Sequence, residues 1–126
     1  MYELMVQRDF IAQHFLTVPD CGPENEWHSH HFTVGVRLAG DVLNKHGYLV
    51  DIDDVKDGLD AIESRYKDAT LNELHEFEGL NPSVEHFCRF CCERIAQFVT
   101  ANNVTRIRVR IWEDDDAWAS YEIDRT

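Results

Sequence analysis

The sequence predicts an α+β fold, a four-stranded antiparallel sheet with two helices on one face, in the order β-β-α-α-β-β. Three observations carry that expectation. Two early segments alternate apolar and polar residues over strand length; two central segments repeat apolar residues at helical spacing; two closing segments alternate again. At 126 residues the chain has room for one real core and too little for two ordinary ones, so residues 1–126 are expected to form a single domain.

The first segment, YELMVQRDFIAQHFL, sets Leu4, Val6, Phe10, Ala12 and His14 on one parity, as a strand with one buried face does. The second, HSHHFTVGVRLAG, aligns His28, His30, Phe32, Val34, Val36 and Leu38 in the same way. The stretch TVPDCGPENE between them holds two prolines and a glycine, which predicts a hairpin with a long functional loop. KHGYLV reads as a turn and a short extended piece. Asp51 then caps a helix whose apolar positions are Ile52, Val55, Leu59, Ile62 and Tyr66, with Gly58 a small cost. KDATLNELHEFEGLN has no sustained period and reads as a connection.

Asn81-Pro82 supplies a cap and a first-turn proline for the second helix, whose stripe is Val84, Phe87, Cys88, Cys91, Cys92, Ile95, Phe98 and Val99. TRIRVRIW alternates arginines with Ile107, Val109 and Ile111, the pattern of a strand buried on one side. EDDD turns the chain, and AWASYEID closes the sheet.

Lys and Arg number 12 against 24 Asp and Glu, a formal net charge of −12, which excludes the basic surface that phosphate-backbone binding needs. An anionic small ligand would require a local patch of Lys, Arg or His. The opening MYELMVQRDF holds no apolar stretch of signal length, and charges interrupt every longer apolar run, so a cytoplasmic protein without membrane spans is expected. Three of the four cysteines, Cys88, Cys91 and Cys92, share one helix face, a poor disulfide framework, and are expected to be reduced core thiols. Cys21 stands alone in the long loop.

His28 and His30 leave the same face of the second strand, and His14 ends the matching row of the first. A hairpin can gather the three imidazoles into a zinc site with its fourth position open, the arrangement of a catalytic rather than a structural metal. The competing reading is a partly exposed His-x-His pair with no role. Against it, three core-facing histidines would bury polar rings without partners unless something binds them. His31 has the opposite parity and is not expected to join them.

These residues resemble the 6-pyruvoyl-tetrahydropterin synthase and 6-carboxy-tetrahydropterin synthase family. FIAQHFL is similar to that family's F-x-A-x-H, and HSHHF to its H-G-H-x-[FY] with Ser29 in the glycine place. GYLVDIDDVK resembles the start of its first helix, NPSVEHF its N-P-T-x-E-N, and WEDDDAWASYE its closing hairpin. The resemblance implies the tunnelling fold, trimers forming a barrel and stacked into hexamers, and Zn2+ on His14, His28 and His30. It also implies a substrate of the 7,8-dihydroneopterin triphosphate kind, converted by a lyase that eliminates triphosphate. By the same resemblance Glu113 falls on the glutamate that anchors the pterin ring, and Ser83 on the threonine beside it. The pathway served, whether to queuosine, a folate or a biopterin, stays open.

Two departures from the family pattern concern proton transfer. The synthases' catalytic cysteine precedes the histidine pair by four residues, where this chain has Glu24. Cys21 reaches that place only through a bulged loop, and Glu24 and Glu26 compete with it. The family's D-H-x-x-L-N falls on Lys67 and Asp68 before Leu71-Asn72, so the relay histidine is missing and Asp68 is left as the candidate acid or base. Lys67 could instead meet a triphosphate. A branch of the family with glutamate near the missing cysteine cleaves the side chain to 6-hydroxymethyl-dihydropterin, and a zinc- and pterin-binding homologue without turnover is the remaining alternative.

Overall fold

A computed structural model describes residues 1–126. Strands β1 (Tyr2–His14) and β2 (His28–Gly40) form a long hairpin, followed by helices α1 (Ile52–Tyr66) and α2 (Val84–Phe98) and by strands β3 (Arg106–Trp112) and β4 (Trp118–Asp124). The sheet order is β1-β2-β3-β4, antiparallel throughout, so the expected class and connectivity are observed. The alternation in sequence explains the layering: Phe32, Val34, Val36 and Leu38 are buried under the helices, while Thr33, Gly35 and Arg37 face the open side. Ile107, Val109 and Ile111 continue the buried rows on β3.

Twenty-four buried residues make one core cluster. At its centre the Phe87 ring meets Phe32 at 5.2 Å and Tyr66 at 4.9 Å, both edge-on. Cys88, Cys91 and Cys92 are buried free thiols, as the helix spacing predicts, and burial pushes Cys88 and Cys92 up to about 12, which leaves them unreactive packing groups. Gly58 proves to be a packing requirement rather than a cost, because a Cβ there would stand 2.8 Å from the Ile95 side chain where α1 crosses α2.

Three local expectations are corrected. The cap of α2 is Ser83, whose Oγ accepts the His86 N–H at 3.2 Å, and Asn81-Pro82 lies outside the helix. Its side-chain carbonyl is committed to Thr17, and that use takes Asn81 away from the helix end. Ile52 is exposed, and the stretch before Asp51 is a turn without a strand. Asp51 does cap α1, accepting from Asp53 N–H at 2.9 Å.

The connection between the helices contains two short 3-10 turns, Leu71–Glu73 and His75–Phe77. Glu76 on the second accepts from the Arg65 guanidinium and from Tyr66 Oη at 2.7 Å. The Arg65 hydrogen bonds hold the Glu76 carboxyl down at about 2 against an ordinary 4.5, although partial burial opposes them. A depressed carboxyl stabilises the fold above its unfolded value and ceases to do so as pH falls through its folded one, so this contribution is complete above about pH 4.5 and lost toward pH 2. Glu76→Gln is expected to lower stability at pH 7 by about 1–3 kcal/mol. Denaturant unfolding of both proteins should show the gap closing between pH 4.5 and pH 2; a gap independent of pH would refute the charge-assisted role.

Candidate metal centre and its cleft

The hairpin register builds the site. His14 is the direct partner of His28, and Ala12 that of His30, so the two strands deliver three imidazoles to one end of the buried face. Their ring centroids lie 4.6, 5.0 and 4.8 Å apart. One ligand nitrogen from each lies within 4.8 Å of the others. A tetrahedral ion at about 2.0–2.1 Å from each nitrogen spaces them by about 3.4 Å, so small ring rotations close the set.

The tautomers are arranged for a cation. His14 Nδ1 faces the Pro82 carbonyl at 2.9 Å and His28 Nδ1 faces the Glu26 carbonyl at 2.7 Å. An acceptor on Nδ1 places the ring proton there and leaves the Nε2 lone pair for a ligand. Nε2 of His14 and of His30 are buried without any hydrogen-bond partner. Orphaned buried polar atoms are costly, and two of them pointing at one locus fit a divalent ion in that place. Burial, and then the neighbouring imidazoles, hold His14 and His30 below the ordinary histidine value, in the neutral form that a metal requires.

Glu113, in the turn after β3, leans into this cluster. Its Oε1 is 3.1 Å from His30 Nε2 and 3.9 Å from His14 Nε2, close enough for attraction but without hydrogen-bond alignment to either. Burial raises its carboxyl above the usual range, and His14 opposes the rise. A cleft of about 660 Å³ opens from His30 and Glu113 toward Gln7, Thr33 and Trp112.

Glu24, in the 3-10 turn Pro23–Asn25 of the long loop, bears electrostatically on both His30 and Glu113. Cys21 is half-buried in the same loop, its N–H donating to Asn25 Oδ1 at 3.0 Å. Asp68 lies elsewhere. With φ of 59° its N–H donates to the Ile11 carbonyl at 2.7 Å, and it shares a polar cleft with Lys67, Arg8 and Asp60. Within one chain the histidines and Glu113 come together, Glu24 acts on them through its charge, and Asp68 and Lys67 do not join them. His31 points away from the triad and pairs with Asp9 at 2.6 Å.

Three asparagines hold this end in place by contacts that no sequence pattern announces. Asn72 closes a double hydrogen bond with the Phe15 backbone, both at 2.9 Å, directly after His14. Asn81 receives Thr17 N–H at 2.9 Å, and Asn25 donates to the Leu16 and Val18 carbonyls at 3.0 and 2.7 Å. Asparagines in loops are turn formers by default, so sequence spacing gives no sign that these three fasten the segment that leaves His14.

Comparison with known proteins follows the same lines. The family model described as 6-pyruvoyl tetrahydropterin synthase matches residues 3–124. An Archaeoglobus fulgidus protein provisionally named as a 6-carboxy-5,6,7,8-tetrahydropterin synthase is 27% identical over 114 residues, 90% of each chain. A Pyrococcus abyssi protein with the same provisional name is 23% identical, over 89% of this chain and 84% of that one. Among solved structures, Caenorhabditis elegans 6-pyruvoyl tetrahydropterin synthase superposes with a TM-score of 0.79 at 19% identity, over 98% of each chain. A catalytic-glutamate-to-alanine mutant of the Plasmodium vivax 6-pyruvoyltetrahydropterin synthase gives 0.79 at 16%, again over 98% of each. With the family model covering nearly the whole chain, the protein belongs to the 6-pyruvoyl tetrahydropterin synthase family, whose members are enzymes acting on pterins.

Proposed function

We propose that this chain is a zinc-dependent lyase converting 7,8-dihydroneopterin triphosphate, of the 6-pyruvoyl- or 6-carboxy-tetrahydropterin synthase type. The observation that carries the reading is the pair of buried, partnerless Nε2 atoms on His14 and His30, with His28 beside them. These three residues would hold Zn2+, and the bound ion supplies Lewis acidity toward oxygens of the substrate side chain.

The remaining chemistry belongs to side chains. Glu113 accepts the parallel N–H groups of a 2-amino pyrimidine edge. Ser83, at the start of α2, stands beside the pterin. Proton transfer falls to Glu24, supported by its electrostatic reach to His30 and Glu113 and by the catalytic glutamate of the Plasmodium vivax relative. Cys21 and Asp68 are the other candidates. Asp68 would act through a second copy, because it lies apart from the triad in its own chain.

Assembly through the free outer edges of β1 and β4 into trimers, and of trimers into hexamers, is part of the same reading, since open sheet edges need covering. No helix is long and apolar enough to cross a membrane. Glu24 in the cysteine's place also favours the second reading, side-chain cleavage to 6-hydroxymethyl-dihydropterin.

Incubation with 7,8-dihydroneopterin triphosphate, followed by mass spectrometry, distinguishes these products. Glu24→Gln is expected to lower kcat about 100-fold or more with little change in KM, and Glu113→Ala to raise KM about 10-fold or more. Wild-type turnover in Glu24→Gln, Cys21→Ala and Asp68→Asn alike would refute the assignment of the base. Tight pterin binding without any product would refute the enzyme.

A further inference from the structure

No lysine or arginine of this chain lines the histidine cleft. Glu113, Asp114 and Asp115 stand there beside His30, and the neighbouring hollow that shares Glu113 is lined by Glu85 and Trp118 among small apolar residues. A triphosphate placed in the cleft meets carboxylates that repel it. The outer edge of β1 carries the cation that the cleft lacks.

That edge is open from Tyr2 to Phe10 and closed beyond by the chain itself. Asp68 N–H donates to the Ile11 carbonyl at 2.7 Å and Gln13 N–H to the Ala69 carbonyl at 2.9 Å, with Thr70 bridged to Gln13 in parallel. Trp27 Nε1 fastens this segment, donating to Thr70 Oγ1 at 2.9 Å. Asp68 is held at φ 59°, a conformation that costs a residue other than glycine and persists where its surroundings impose it. Lys67 stands at the head of this stop, where α1 ends. It is exposed, and its ammonium joins none of the chain's ion pairs. Arg8, in the same polar cleft, is taken up by Asp60 at 2.7 Å and Glu63 at 3.4 Å.

Strand β4 presents the complementary edge. Tyr2 lies level with Gly40, Ala39 with Arg106, and Arg106 with Asp124, so the Trp118 end of β4 shares the His14 end of the sheet. With the antiparallel alternation continued, the seven residues of β4 fit the open stretch of β1 on a second copy and halt at its Asp68. Lys67 of that copy then comes to Trp118, beside Glu113. We propose that Lys67, reaching across this seam from a second copy, binds the phosphate end of the substrate in the histidine and Glu113 cleft. An ammonium is a compact charge with three donors, suited to phosphate oxygens. The inference rests on the substrate and the edge-to-edge assembly of the proposed function.

The test titrates zinc-loaded wild type and Lys67→Gln with 7,8-dihydroneopterin triphosphate and with 7,8-dihydroneopterin, read by pterin fluorescence before turnover. Lys67→Gln is expected to weaken triphosphate binding about 10-fold or more, as for one lost charge-assisted hydrogen bond, and to leave the unphosphorylated pterin within about twofold. Mixed assemblies of Lys67→Gln and Glu113→Ala chains, made by co-expression, are expected to regain tight triphosphate binding at a subset of sites, because a copy with intact Glu113 takes Lys67 from its neighbour. Wild-type protein that binds neither pterin overturns the proposed function and this inference with it. Tight triphosphate binding by wild type and Lys67→Gln alike overturns this inference alone. So does a Lys67→Gln protein that is folded by circular dichroism but no longer assembles, which would make Lys67 an interface ion pair. Mixed assemblies without any tight sites refute action across the seam.

Discussion

His30→Ala is expected to strip zinc from the protein as purified. Metal analysis should fall from about one ion per chain to less than a tenth of that, because two imidazoles and water do not replace the third nitrogen of a tetrahedral site. Folding should survive. His30 is only partly buried, and its loss removes one orphaned Nε2 from the core end along with the metal ligand. The apo form of the variant is therefore expected to be no less stable than the apo wild type, while the wild type alone gains thermal stability on adding zinc, in proportion to the logarithm of free metal. A full zinc complement in His30→Ala would show that the ion sits elsewhere and would take the proposed function with it.

Phe87→Ala is expected to cost about 3–5 kcal/mol, the range for emptying a large aromatic from a packed core. Phe87 is fully buried on α2 and touches rings from β1, β2, α1 and the connection between the helices, so no single element can move in to fill the void. The effect should reach the metal centre. Phe32 packs edge-on against Phe87 and, on its other side, lies 6.1 Å from the His14 ring and 5.5 Å from His30. A loosened Phe32 lets both ligand rings turn, and zinc affinity is expected to fall about 10-fold or more, as for other changes behind a metal ligand. Guanidinium unfolding and competitive zinc titration with a chelator measure the two effects separately. Normal affinity in a destabilised variant would mean that the hairpin alone fixes the ligands.

The alternation of apolar residues determined which face of each strand is buried, and with it the place of the three histidines, since Phe10, Ala12 and His14 share a row with one period of two residues. The same rule turned His31 outward to Asp9. Helical spacing likewise fixed the buried stripe of α2 and the inertness of its thiols. These are local regularities, and a chain carries them wherever it folds.

Only the tertiary structure decided what lies beside them. Register set His14 against His28 rather than a neighbour two residues away; Pro82, 68 positions along the chain from His14, supplies the carbonyl that orients that ring; and Asn72 and Asn81 tie the connection between the helices to the start of the long loop, which Asn25 closes on itself. Contacts between residues far apart in sequence leave no period to read, because they depend on where two segments meet and not on the order of residues within either.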